Sequence, residues 1–86
     1  MAKKRIIDEG NKTNITGDRI KTARKKAGFS QKQLSVKLET EAVYVCRGSI
    51  SRIESGERLV SDIELDAISR ILNISLDYLV GRNGNQ

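Results

Sequence analysis

Ser30-Gln31-Lys32-Gln33-Leu34-Ser35 and, a short way on, Ser49-Ile50-Ser51-Arg52-Ile53-Glu54-Ser55-Gly56 decide how this chain folds. Each block reads as a short helix with polar residues at its start. In the first, Ser30 stands three residues before Gln33, the spacing of a capping box, and Phe29 stands five before Leu34, the spacing of a hydrophobic staple. In the second, Ile50 and Ile53 share one face, and helical geometry places residues 47, 48, 51 and 52 on the outer side.

The same local grammar recurs outward from these blocks. Ser61 pairs with Glu64 and Val60 with Leu65; Ser75 is an N-cap with Ile74 and Leu79 as its staple; Cys46 occupies a cap position with Val45 and Ile50 around it. Upstream, Ile20, Ala23 and Ala27 follow i, i+3, i+7 spacing, with Thr16 as the expected cap and Gly28 as the stop. The expected helices are 17–27, 30–39, 46–54, 61–72 and 75–80. Leu34 with Leu38, Ile50 with Ile53, and Leu65 with Ile68 and Leu72 supply the inward faces. Val43-Tyr44-Val45 alternates like a strand but is too short to stand alone. The fold class is all-α, a compact five-helix bundle. Its expected organisation is a flexible basic arm over 1–14, a domain over 15–80 and a disordered tail over 81–86.

The chain has 86 residues and a formal net charge of +5. The excess is uneven: Lys3, Lys4, Arg5, Lys12, Arg19, Lys21, Arg24, Lys25 and Lys26 crowd the front, against Asp8, Glu9 and Asp18. From residue 59 onward Arg70 and Arg82 face Asp62, Glu64, Asp66 and Asp77. That asymmetry favours a polyanion on one side of the molecule; an ordinary solvated surface with a basic tail is the plainer alternative. Histidine is absent and Cys46 is the single cysteine. These counts argue against a zinc site, histidine-based general-base catalysis and an internal disulfide. No metal, cofactor or enzymatic activity is expected. Ser51 and Ser69 lack a base to activate them. No apolar run approaches the roughly 20 residues of a membrane span, and a lone thiol fits a reducing, cytoplasmic setting. With only Phe29, Tyr44 and Tyr78 as aromatics, the core must be aliphatic.

Ile20, Ala23-Arg24, Gly28-Phe29-Ser30-Gln31, Leu34-Ser35, Ile50-Ser51-Arg52-Ile53-Glu54, Gly56 and the run from Leu65 through Leu72-Asn73-Ile74-Ser75-Leu76-Asp77-Tyr78-Leu79 together resemble the Cro/repressor (XRE-type, lambda-repressor-like) helix-turn-helix family. The resemblance covers about residues 17–80. It implies a compact all-α domain of bacterial or phage origin that binds double-stranded DNA, often as a repressor and usually as a homodimer. The connection over 39–45 is longer than the family's usual turn and looks like its longer-turn variant.

Several residues then acquire expected roles. The helix at about 46–54 would enter the major groove with its N-terminal residues toward base edges. Arg47 and Arg52 are the candidate base readers, since arginine can bond guanine O6 and N7 together. Ser51 reaches a base or a phosphate, and Gly48 permits close approach. Gln31 takes a phosphate contact by resemblance, and Lys32 shares the anion-favouring start of its helix. Ser55 and Arg58 would clamp the next phosphate, and Lys3, Lys4, Arg5 and Lys12 would trail along the duplex. Tyr44 lies near the backbone of the DNA or else covers apolar surface. The resemblance pairs Arg24 and Glu54 as a buried salt bridge. Leu76, Leu79 and Val80 are the expected dimer surface. The alternative function is a protein-interaction module, of antitoxin or anti-repressor type, reusing the same fold.

Overall fold

Three serines start three of the helices. In the computed structural model, which describes residues 12–82, the helices are α1 (Gly17–Lys26), α2 (Gln31–Glu39), α3 (Arg47–Ser55), α4 (Asp62–Leu72) and α5 (Leu76–Leu79). Ser30 Oγ accepts from Gln33 N at 3.0 Å while Gln33 Oε1 accepts from Ser30 N at 2.8 Å. Ser61 and Glu64 make the same reciprocal pair, and Ser75 Oγ accepts from Tyr78 N. Each cap contributes about 1 kcal/mol. The cap residues lie just outside the hydrogen-bonded bodies, so helices expected to start at 30, 46, 61 and 75 begin one residue later.

The start of α1 differs from expectation. Thr16 occupies the cap position, but its backbone is already helical (φ −102°, ψ −15°) and its hydroxyl caps nothing. An N-cap side chain folds back onto its helix only from extended backbone. Asn14 does the work instead: its Oδ1 accepts from the N–H groups of Thr16 and Gly17 at 3.1 and 2.8 Å. At the other end the helix closes at Lys26, so Ala27 falls outside it and is exposed.

The interior is aliphatic. Ile20 and Ala23 from α1, Leu34 and Leu38 from α2, Ile50 and Ile53 from α3, Ala67, Ile68 and Leu72 from α4, Leu79 from α5 and Val45 from the α2–α3 connection form one buried cluster. Leu65, expected inward, is half-buried and packs against its edge. Burying each large aliphatic side chain stabilises the fold by about 1.5–3 kcal/mol. α3 lies against both α1 and α2, and α4 lies against α1, α2 and α5. No strand forms among the described residues.

The long α2–α3 connection is held at both ends. Val45 is buried and Val43 packs on the core, which turns the intervening Tyr44 outward, 74% exposed. Ser35 Oγ donates to the Val45 carbonyl at 2.7 Å, and Arg70 of α4 bonds Glu41 as well as Asp66. Ala42 makes the corner with φ 61°. The left-handed region costs an L-residue about 1–2 kcal/mol, part of which glycine gives back as unfolded-chain entropy. Ala42→Gly is accordingly expected to stabilise the domain by about 0.5–1 kcal/mol, read as a higher urea midpoint.

Candidate nucleic-acid interface

α3 has two faces of opposite character. Ile50, Ile53 and Glu54 are buried, while Arg47, Gly48, Ser51, Arg52 and Ser55 are exposed. Neither Arg47 nor Arg52 forms an ion pair among the described residues. The nearest atom to a β-carbon built on Gly48 is Arg52 Nη1, at 4.0 Å. The Arg52 side chain thus leans back along the helix over Gly48, as long helical side chains do. The missing side chain at 48 leaves that guanidinium uncovered.

The buried face carries a charge. Arg24 Nε donates to Glu54 Oε2 at 2.6 Å and Arg24 Nη2 donates to Glu54 Oε1 at 3.0 Å. Arg24 Nη1 donates to the Phe29 carbonyl at 2.7 Å. The two residues are 6% and 5% exposed. Gln31 Nε2 adds a third donor to Glu54 Oε1 at 3.1 Å. One carboxylate thus ties α3 to α1 and to the first residue of α2. Gln31 directs its amide nitrogen at Glu54, and Lys32 beside it is exposed.

The segment after α3 is built differently from expectation. Arg58, expected to clamp a phosphate, spends both terminal nitrogens on Glu64, at 3.0 and 2.9 Å, and Nη1 also donates to the Leu59 carbonyl. Its guanidinium staples the turn to the start of α4, so a phosphate would have to compete with a two-bonded carboxylate. Ser55 Oγ sits 3.1 Å from the Arg52 carbonyl and 3.0 Å from Glu57 Oε2, so this hydroxyl has a carboxylate for a neighbour. Lys12 Nζ lies 3.6 Å from Asp18. Lys3, Lys4 and Arg5 fall outside the described residues.

Glu64 links this turn to pH. The Arg58 guanidinium holds its carboxyl below the ordinary carboxylate range, against the opposing effect of partial burial. A carboxyl whose folded-state value is depressed contributes stability that is full above its unfolded value, about 4.3, and lost as the pH falls through the folded one. Glu64→Gln keeps a side chain suited to the capping box and removes the charge. The melting-temperature gap between parent and Glu64→Gln is expected to be open at pH 7 and to close as the pH falls below about 4.

At the other end of α3, Cys46 is the N-cap, with its Sγ 3.5 Å from Ser49 Oγ. Hydrogen bonding to the Ser49 side chain and backbone draws the thiol below its ordinary value. Ser35, Glu39, Tyr44, Val45, Cys46 and Ser49 line a depression of about 380 Å³ beside it.

α5 corrects the expected dimer surface. Leu79 is fully enclosed and belongs to the core; a four-residue helix must use its one inward position to close the bundle. Val80 is half-buried, and Leu76 is exposed. Among the described residues the most exposed aliphatic side chains lie elsewhere, at Leu59 and Ile63, 70% and 68% exposed.

Asn14 is the residue that sequence reading misses. Besides capping α1, its Nδ2 donates to the carbonyls of Ile53 at 3.0 Å and Arg58 at 2.8 Å. Next to it, Thr13 donates to the Gly56 carbonyl from both N and Oγ1. An Asn ahead of a helix is a local signal of capping; partners 39 and 44 residues away leave no mark in a short window. Lys12, Thr13 and Asn14, counted in the expected arm, are thereby held along the end of α3, and Lys12's stem lies against Gly56. At Gly56, φ is 86° and a β-carbon would meet that stem at 2.8 Å, so the position calls for glycine on both counts.

A helix packed on its predecessor, locked from behind and bare in front, is the working half of a helix-turn-helix. The chain matches the helix-turn-helix family model over residues 20–79, and it belongs to the Cro/repressor (XRE-type) helix-turn-helix family. A curated relative, the HTH-type transcriptional regulator ImmR of Bacillus subtilis (strain 168), is 34% identical over 67 residues, which is 78% of this chain and 49% of the relative. The chain thus spans about half the length of that relative. No solved structure matches.

Proposed function

We propose that this chain is a sequence-specific double-stranded DNA-binding transcriptional regulator that acts as a repressor in the cytoplasm, with α3 in the major groove. The observation that carries the reading is the pair of arginines, without ion pairs among the described residues, on the bare face of α3, with Gly48 and Ser51 between them, opposite a buried face that fixes the helix. Arg47 and Arg52 read base edges, and Ser51 adds a weaker contact. The capping box satisfies the N–H of Gln33; those of Gln31 and Lys32 ahead of it meet a phosphate, with the Lys32 ammonium alongside. Ser55 meets the phosphate beyond α3, and Arg58 supports it from the turn through Glu64. Two copies bind half-sites about 34 Å apart. Leu76, together with the exposed Leu59 and Ile63, supplies apolar surface for that pairing.

A salt titration on a duplex selected from random sequences tests the reading. Each neutralised phosphate contributes a slope of about −0.9 to log K against log salt, so a footprint of several phosphates reads as a steep loss of affinity. A protein-interaction module of antitoxin or anti-repressor type would select no duplex at all, and that result would overturn the proposal.

A further inference from the structure

Resting on the DNA-reading role of α3, we propose that Asn14 is a positioning residue for sequence discrimination: its side chain sets where the C-terminal half of α3, and therefore Arg52, stands over the bases.

α3 has nine residues, so it spans about 13.5 Å. Its first turn is held by Val45 and Ile50 in the core. Its last turn ends in carbonyls that have no partner inside the helix. Ile53 O, which accepts from Gly56 N at 3.0 Å, takes Asn14 Nδ2 as a second donor at 3.0 Å, and the same nitrogen donates to the Arg58 carbonyl beyond the turn at 2.8 Å. Asn14 Oδ1 is meanwhile bound to the first N–H groups of α1. The amide thus uses both donor hydrogens and its acceptor to join three segments. Ile53 is the immediate neighbour of Arg52, so a displacement at this carbonyl passes directly to the reading side chain. A β-carbon on Gly17 would collide with the same Ile53 carbonyl, so the main chains of α1 and α3 meet at this point and Asn14 is the polar clasp beside the contact.

Base contacts carry the sequence information and depend on this placement, whereas phosphate contacts carry none. Discrimination and general affinity should therefore separate when the clasp is removed. Asn14→Asp keeps an oxygen to cap α1 but loses the donors and turns a carboxylate toward two carbonyls. Asn14→Ala loses everything.

The experiment measures affinity of the 86-residue chain for a selected duplex and for random duplex, at a temperature where circular dichroism shows each variant folded. Arg52→Ala is run in parallel. The expected result is that both Asn14 variants lose about 5- to 150-fold on the selected duplex, the equivalent of one two-bonded base contact. The random-duplex affinity and salt slope of the uncharged Asn14→Ala variant stay at parental values, and for Asn14→Asp, whose added carboxylate repels any duplex, the loss is read from the ratio of selected to random affinity. If Asn14→Asp discriminates as well as the parent, the residue is only a helix cap and the proposal falls. A parallel loss on both duplexes also overturns it. So does failure of both variants to fold, since Asn14 would then be holding the domain together rather than aiming a helix. If Arg52→Ala keeps full discrimination, Arg52 is not a base reader and this inference falls with it, while Arg47 still tests the groove-reading role of α3; if only Arg52→Ala loses it, this inference alone is wrong.

Discussion

Glu54→Ala is expected to cost about 3–5 kcal/mol of folding stability, because it strands a buried guanidinium. Arg24 would retain only the Phe29 carbonyl as a strong acceptor, at 2.7 Å, with its Nε and Nη2 facing the space that the carboxylate left. Gln31 would lose its partner as well. A small domain has about 5–15 kcal/mol in total, so this one change removes a large part of it. The reverse change, Arg24→Ala, leaves a buried carboxylate and should be as damaging. Replacing both residues by Met removes both uncompensated charges and is expected to be milder than either single alanine. Urea unfolding followed by circular dichroism gives the three values. A Glu54→Ala midpoint close to the parent's would mean that the buried pair contributes little to holding α3.

Arg52→Ala and Arg47→Ala are expected to do the opposite. Both side chains are exposed and unpaired among the described residues, so each change should alter stability by no more than about 0.5 kcal/mol. Each should remove about 1–3 kcal/mol of discrimination at its own base pair. Selection of bound sequences from random duplex DNA reads this directly: the parent yields a motif, and each variant loses guanine preference at a different position. Arg52→Lys sharpens the test. It keeps the charge but not the planar fork, so it should bind random duplex like the parent while losing most of the preference. A variant motif identical to the parent's would remove that arginine from the set of base readers.

The parts of this architecture that were legible from sequence are the parts written in short windows. Ser30 with Gln33 and Ser61 with Glu64 are three residues apart, and each pair closes within one turn. The alternation of Ile50 and Ile53 with polar neighbours fixes the faces of α3 in the same way. What escaped notice depends on distant partners or on neighbouring elements. Asn14 reaches residues far down the chain. Arg58 looks like a free cation until the turn brings Glu64 to it. Leu79 looks spare on an apolar-rich helix until the short length of α5 shows that it has one inward position to fill. Ala42 gives no hint of its positive φ, because the corner is imposed by Val43 and Val45 on the core and by Arg70 on Glu41.

The division of α3 into a locked rear and a bare front has a consequence for sequence preference. Everything that keeps the rod in place arrives from behind or from its ends, through Arg24, Gln31, Asn14 and the aliphatic cluster. Positions 47, 48, 51 and 52 owe almost nothing to folding. On the proposed reading of DNA by these positions, a change of sequence preference needs only four surface substitutions, each at low thermodynamic cost to the scaffold.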